Sequence, residues 1–191
     1  ILVPIMVIFS LINIPVDVLG VPLNFIIMDI IFIIASITDK LDGYLARKNN
    51  QITNFGKFLD PIADKILVVS AMLILVGAGK LPAWIPIIII TREFAVSGYR
   101  LIAVEQNGKV IAASVWGKLK TVTQMLAIIL AFVDVNGFGA IFTGNLSGGA
   151  FALNLASTIL MIICLVATIF SGYDYLKGSK ELFKDAKKSL K

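Results

Sequence analysis

The chain has 191 residues, of which 58% are hydrophobic and 15% charged, and its mean hydropathy is +0.94. That is more apolar surface than a soluble domain of this length carries, so the composition excludes an ordinary water-soluble globule and points to a polytopic membrane protein. There is no histidine, which excludes a histidine base, nucleophile or metal ligand, and the net charge of +5 gathers on one side of the predicted topology, which reads as membrane orientation, with no nucleic-acid partner.

Six apolar runs predict an all-α bundle of six transmembrane helices. The first, Ile1 to about Ile14, is shorter than the ~20 residues a span needs, as expected of a chain truncated at its N-terminus. The others run from about Leu23 to Leu45, Phe58 to Val76, Ala83 to Val104, Val115 to Val135 and Ala150 to Tyr175. Breakers separate them: Pro15 and Pro22, Asn49 and Asn50, Gly77 to Pro82, Gln106 to Gly108, and a glycine-rich stretch from Asn136 to Gly149. Short linkers favour one membrane domain over residues 1–176, followed over 177–191 by a basic cytoplasmic tail or short helix able to rest on anionic lipid.

Arg47, Lys48, Lys57, Lys109, Lys118, Lys120 and the tail lysines fall on one side of this topology and only Lys80 on the other. The basic side is therefore expected to be cytoplasmic, with both termini inside. The single cysteine, Cys164, lies in apolar surroundings and reads as packing. Trp84, Trp116, Phe132 and Phe170 read as packing or interfacial anchors.

The stretch TDKLDGYLARKNNQITNFGKFLDPIADK, Thr38 to Lys65, sets four aspartates between two apolar segments. Asp39 and Asp42 are three apart and Asp60 and Asp64 four apart, so on helices each pair projects from one face and the two pairs can face each other. Even one Asp at the centre of a membrane helix is disfavoured by roughly 2.5 to 3.5 kcal/mol. Carboxylates converging across a helix pair would repel unless cations sat between them. Hard oxygen ligands suit Mg²⁺, Mn²⁺ or Ca²⁺, and two divalent ions neutralise four carboxylates. The plain alternative is a wet helix-loop-helix at the membrane surface.

Gly43 beside Asp42, and Gly56 four residues before Asp60, remove bulk next to an acid. Gly43 and Ala46 make a small face that a flat or phosphorylated ligand can approach, and Arg47 supplies a planar donor fork suited to phosphate. Taken singly, Gly43 also reads as a helix-packing glycine and Gly56 as a loop C-cap or hinge.

The fourth run carries TREFAVSGYR, placing Arg92, Glu93 and Arg100 where an all-apolar span would be less costly. Arg92 and Arg100 are eight apart, about two turns, and so roughly on one face. Lys118 and Lys120 open the fifth helix near the same cytoplasmic level, but two residues apart they do not share a face, so one of them is expected to point inward. Converging beside the acids, these cations would make a pocket for a second, anionic substrate. The alternative pairs Glu93 with one arginine and lets the lysines snorkel outward.

Read as D-x2-D-G-x2-A-R-x8-G-x3-D-x3-D, the residues Asp39, Asp42, Gly43, Ala46, Arg47, Gly56, Asp60 and Asp64 resemble the signature of the CDP-alcohol phosphotransferases, with every fixed position filled. The segments TDKLDGYLARK, FGKFLDPIADK, REFAVSGYR and GKLKT are similar to one branch of that family, the phosphatidylglycerophosphate synthases, over roughly Ser36 to Thr121. The Pro-Asn and Thr-x-x-Arg segment that such enzymes usually carry near the N-terminus is not in this chain.

The resemblance implies a phospholipid-synthesising transferase that binds CDP-diacylglycerol against Asp39, Asp42, Gly43, Ala46, Arg47 and Gly56, with the acyl chains in the membrane lipid. It implies sn-glycerol 3-phosphate as acceptor, its phosphate held by Arg92, Arg100, Lys118 and Lys120 and its primary hydroxyl attacking the phosphorus nearest the diacylglycerol to expel CMP. Asp39, Asp42 and Asp60 would hold two divalent cations, Mg²⁺ or Mn²⁺, while Asp64 ligates metal, serves as the general base, or does both. It also implies a homodimer, and with the charge asymmetry a bacterial cytoplasmic membrane whose inner face carries the site. Two other readings stand beside it: the same chemistry with inositol phosphate or serine as acceptor, and a divalent-cation carrier, in which Gly43, Ala46 and Arg47 would have no evident task.

Overall fold

The computed structural model describes residues 2–12, 14–48, 54–107, 115–144 and 146–189, with the side chains of 43, 46, 47, 54–61, 64, 100–107, 176 and 178–189 outside the described set. It is mostly helical. The order is α1 (Leu2–Leu11), a hairpin of β1 (Asp17–Val18) and β2 (Val21–Pro22), α2 (Leu23–Lys48), α3 (Asn54–Gly77), α4 (Trp84–Asn107), α5 (Val115–Val133), a 3-10 turn (Ala140–Phe142) and α6 (Gly148–Ser189). The hairpin departs from an all-α expectation. Its strands pair Asp17 with Pro22 and Val18 with Val21, and it turns through Leu19 and Gly20, both at positive φ (56° and 82°), the backbone twist that two-residue hairpins favour.

Among the described residues two stretches, Val115–Val133 and Gly148–Tyr175, are long and apolar enough to cross a membrane, and Leu2–Leu11 and Lys65–Gly77 are shorter apolar helical stretches. Helices α2 and α4 have the length, 26 and 24 residues, but charges interrupt them: Asp29, Asp39 and Lys40 in one, Arg92, Glu93 and Arg100 in the other. Helix α6 continues past Tyr175 to Ser189, so Lys177, Lys180, Lys184, Lys187 and Lys188 ride on helical backbone.

The chain divides into two compact units, Ile1–Ala83 with Met125–Thr158, and Trp84–Gln124 with Ile159–Lys191. In the first, α1, α2 and α3 pack on one another around Met6, Met28, Phe32, Met72 and Leu75. Phe132 is fully buried, its ring 6.5 Å from that of Phe25 and 6.3 Å from that of Phe32.

One end of this unit is tied by polar groups. Helix α3 stops where Gly79 turns to φ 71°: Lys80 N bonds back to Leu75 O (2.9 Å) and Gly79 N to Val76 O (3.0 Å), a Schellman cap that needs glycine at its left-handed residue. The cap delivers Lys80 inward, where Nζ donates to Phe132 O (2.8 Å) and lies 3.9 Å from the centre of the Phe25 ring. The glycine-rich loop closes over it, with Phe138 N donating to Lys80 O (2.8 Å) and Gly137, at φ 78°, so near that a Cβ there would stand 3.2 Å from Lys80 Cα. Asp134, 1% exposed, accepts from Asn136 N (3.0 Å), Asn154 Nδ2 (2.6 Å) and Ser157 Oγ (2.9 Å). Asn154 also donates to Gly137 O (2.6 Å) and accepts from Ile141 N (2.9 Å), which leaves its amide satisfied at no solvent exposure.

The second unit buries Ile85, Ile89 and Val96 of α4 and Met161, Cys164 and Leu165 of α6. Trp116 stacks on Phe170 at 5.0 Å, and Tyr99 meets Tyr175 edge-on at 5.9 Å. Trp116 and Phe170 thus pack together, and Cys164 is a buried free thiol.

Candidate active site

The acid motif begins on α2. With no proline or glycine between Leu23 and Asp42, the helix runs unbroken into its polar end and carries Asp39, Asp42, Gly43, Ala46 and Arg47 within its last three turns. Asp39 is partly exposed and Asp42 exposed, among the exposed apolar side chains of Leu41, Tyr44 and Leu45. Gly56, Asp60 and Asp64 lie on the N-terminal half of α3, which packs against α2. The side chains at positions 43, 46, 47, 56, 60 and 64 lie outside the described residues, and so does the convergence of the two acid pairs.

Among the described residues no group of three or more acid, thiol or imidazole side chains gathers around a common point. What α2 offers is of one chemical kind: Asp39 and Asp42, carboxylates one turn apart, with no thiolate or imidazole in the motif. That donor set fits a hard divalent cation and does not fit a soft one. Ser36, three residues before Asp39, is 8% exposed, and its hydroxyl has no hydrogen-bond partner among the described residues. In the sequence it is one more small residue in an apolar run, and only its spacing from Asp39 could have drawn attention to it.

A second polar cluster lies in the other unit. Arg92 Nη1 and Lys120 Nζ both donate to the same oxygen of Glu93, Oε1, at 2.8 and 2.6 Å. Arg92 Nη2 donates to Ser171 Oγ, and its guanidinium carbon lies 5.8 Å from the centre of the Tyr175 ring. Gly172 lies alongside this arm, where a Cβ would meet Arg92 Cγ at 3.6 Å, an ordinary van der Waals contact. Of the two lysines that open α5, Lys120 is 4% exposed and Lys118 is exposed. Arg100 lies two turns beyond Arg92 on α4, with its side chain outside the described residues.

Among the described residues this cluster sets two cations against one carboxylate, and burial makes any charge left without a partner costly. Arg92 also stands on the wall of a cavity of about 400 Å³ bounded by Ile87, Ile88, Val96, Tyr99 and Tyr175. Ser171 and Tyr175 gave no signal in the sequence, where they end a long apolar run; the pairing of Glu93 with Lys120 crosses 27 residues and two helices.

The described parts are thus an aspartate pair on one helix, a second aspartate-bearing helix packed on it, and a buried cluster of Arg92, Glu93 and Lys120 in the other unit. Residues 1–171 match the family model of the CDP-alcohol phosphatidyltransferases, and the chain belongs to that family. It is 42% identical over 165 residues to the CDP-diacylglycerol–glycerol-3-phosphate 3-phosphatidyltransferase of Bacillus subtilis, covering 86% of this chain and 79% of that protein. It is 37% identical over 164 residues to the enzyme of the same name from Rickettsia bellii, covering 85% and 83%. A probable phosphatidylglycerophosphate synthase of Mycobacterium tuberculosis is 39% identical over 146 residues, which span 76% of this chain and 62% of the mycobacterial protein.

Proposed function

We propose that this enzyme transfers the phosphatidyl group of CDP-diacylglycerol to sn-glycerol 3-phosphate, giving phosphatidylglycerol phosphate and CMP. The observation that carries the reading is the unbroken run of α2 through Asp39 and Asp42 and its packing on α3, the helix bearing Asp60 and Asp64, in a chain 42% and 37% identical to two relatives of that name.

In this reading Asp39, Asp42, Asp60 and Asp64 hold two divalent cations, Mg²⁺ or Mn²⁺. Such ions, when bound, neutralise the diphosphate and the charge that builds on the departing CMP. Gly43 and Ala46 leave the α2 backbone open to the nucleotide, Gly56 does the same at the start of α3, and Arg47 grips a phosphate oxygen with its donor fork. Asp64 takes the proton from the primary hydroxyl of the acceptor. The hydroxyl oxygen forms a bond to the phosphorus nearest the diacylglycerol, the bond from that phosphorus to the bridging oxygen breaks, and CMP leaves with the electron pair. Arg92 and Lys120 hold the acceptor's phosphate, with Arg100 and the exposed Lys118 completing the positive field.

The same reading takes all six helices as membrane spans of one catalytic domain over 1–176 and the lysine-rich end over 177–191 as its cytoplasmic extension. It places the acid ends of α2 and α3 at the inner face of a bacterial cytoplasmic membrane, and takes the enzyme as a homodimer. Thin-layer identification of the lipid made from CDP-diacylglycerol and labelled glycerol 3-phosphate tests the assignment. Labelled phosphatidylglycerol phosphate that vanishes on chelation is expected. Label absent from lipid, with CMP released when inositol phosphate or serine is supplied, would reassign the acceptor.

A further inference from the structure

We infer that Glu93 is a positioning residue for the anionic acceptor: it sets Arg92 and Lys120 side by side as a two-pronged phosphate clamp, an inference that rests on the proposed acceptor-binding role of that pair.

Arg92 and Lys120 carry like charges. The Arg92 side chain is 12% exposed and that of Lys120 5%, so water does little to screen their repulsion, and on their own they would turn apart. Glu93 prevents this in a particular way. Both cations donate to one oxygen, Oε1, so the carboxylate does not merely neutralise two separate groups; it brings a guanidinium nitrogen and an ammonium to a common point. The remaining contacts of Arg92 fix the direction of the fork, with Ser171 Oγ on Nη2 and the Tyr175 ring beneath.

What the clamp leaves over points to a ligand. Among the described residues two cations share one carboxylate, which leaves one positive charge over. The Arg92 Nε–H is buried and has no hydrogen-bond partner among the described residues, an unmet donor on the same guanidinium. Arg92 also borders the largely apolar cavity of about 400 Å³ on α4, which Thr91, Tyr99 and Tyr175 share. A phosphate dianion, with several oxygens on one centre, can meet two adjacent cations at once, which a carboxylate-free pair held apart by repulsion would not allow.

A purely structural ion pair and a positioning residue differ in kinetics. In purified enzyme, Glu93→Gln should raise the KM for glycerol 3-phosphate on the order of 30-fold while kcat and the KM for CDP-diacylglycerol move far less. Glu93→Asp keeps the charge but shortens the arm by one methylene, so it should fall between wild type and Glu93→Gln; it also serves if the glutamine variant does not fold. An unchanged KM for glycerol 3-phosphate in either variant, or a parallel loss in kcat and both KM values, overturns the inference. Calorimetric titration with inorganic phosphate reads the clamp whatever alcohol the acceptor carries: binding to wild type and a matching loss in Glu93→Gln supports it, and equal binding or none to wild type overturns it. Wild-type enzyme that binds phosphate yet releases no CMP with glycerol 3-phosphate would refute the proposed acceptor and leave the clamp standing.

Discussion

Asp134 and Asp42 belong to the same compact unit and are opposite kinds of acid. Asp134 is 1% exposed and takes hydrogen bonds from a backbone amide, an asparagine and a serine, so its lone pairs are committed within the protein. Asp42 stands exposed near the C-terminal end of α2, where the helix carbonyl ends add negative potential and no macrodipole favours a carboxylate. The contrast separates a structural acid from the proposed metal ligand: the first has its coordination completed by the chain, and the second stands exposed, as a carboxylate must to meet an ion.

That contrast can be broken at either end. Replacing Asp42 by Asn should lower CMP release on the order of 10²- to 10³-fold, because ligand charge is removed from the reacting centre, with little change in thermal unfolding. Replacing Asp134 by Ala should do the reverse. Three donors lose a buried acceptor, so stability should fall by about 3 kcal/mol, read as a lower unfolding temperature in detergent, while divalent-ion binding at the opposite end of α2 is retained.

The backbone of the acid-bearing end was legible in the sequence, where a run free of helix breakers from Leu23 to Asp42 makes α2 a single element and a separation of three residues sets Asp39 and Asp42 one turn apart. The structural end was not legible. Lys80, Asp134 and Asn154 meet through a helix cap and an irregular loop, and no periodicity announces that a glycine-rich stretch will fold back on a lysine more than fifty residues earlier. Glu93 shows the same limit. The sequence offered it one arginine as partner, and the structure has it shared between Arg92 and a lysine on another helix. At the other end of the chain, the shift to lysine-rich composition after Tyr175 looked like a boundary, yet KELFKDAKKS consists largely of good helix formers and α6 runs through it.

Smaller changes sharpen the structural side of the comparison. Gly137→Ala should cost about 1–2 kcal/mol, since the residue sits in the left-handed region and its new methyl would press on the Lys80 backbone. The last change is a pH dependence. Burial pushes the Lys80 ammonium down from 10.5 to about 8, with Asp134 and Asp29 pulling the other way. Between those values the unfolded chain holds a proton that the folded chain has released, so this group's contribution to stability rises with pH from about 8 toward 10.5. Comparing unfolding temperatures of wild type and Lys80→Met across that range isolates the term: the wild type should gain on the variant as the pH climbs, and parallel curves would show that the folded lysine titrates normally.

In the proposed mechanism acids from α2 and α3 share the same ions. Mn²⁺ titration of the purified enzyme with CDP bound, followed by electron paramagnetic resonance, tests it most directly. Two ions per chain are predicted for the wild type, with Asp39→Asn on α2 and Asp60→Asn on α3 each weakening both. Mn²⁺ binding that is unaffected by one of the two substitutions would contradict it.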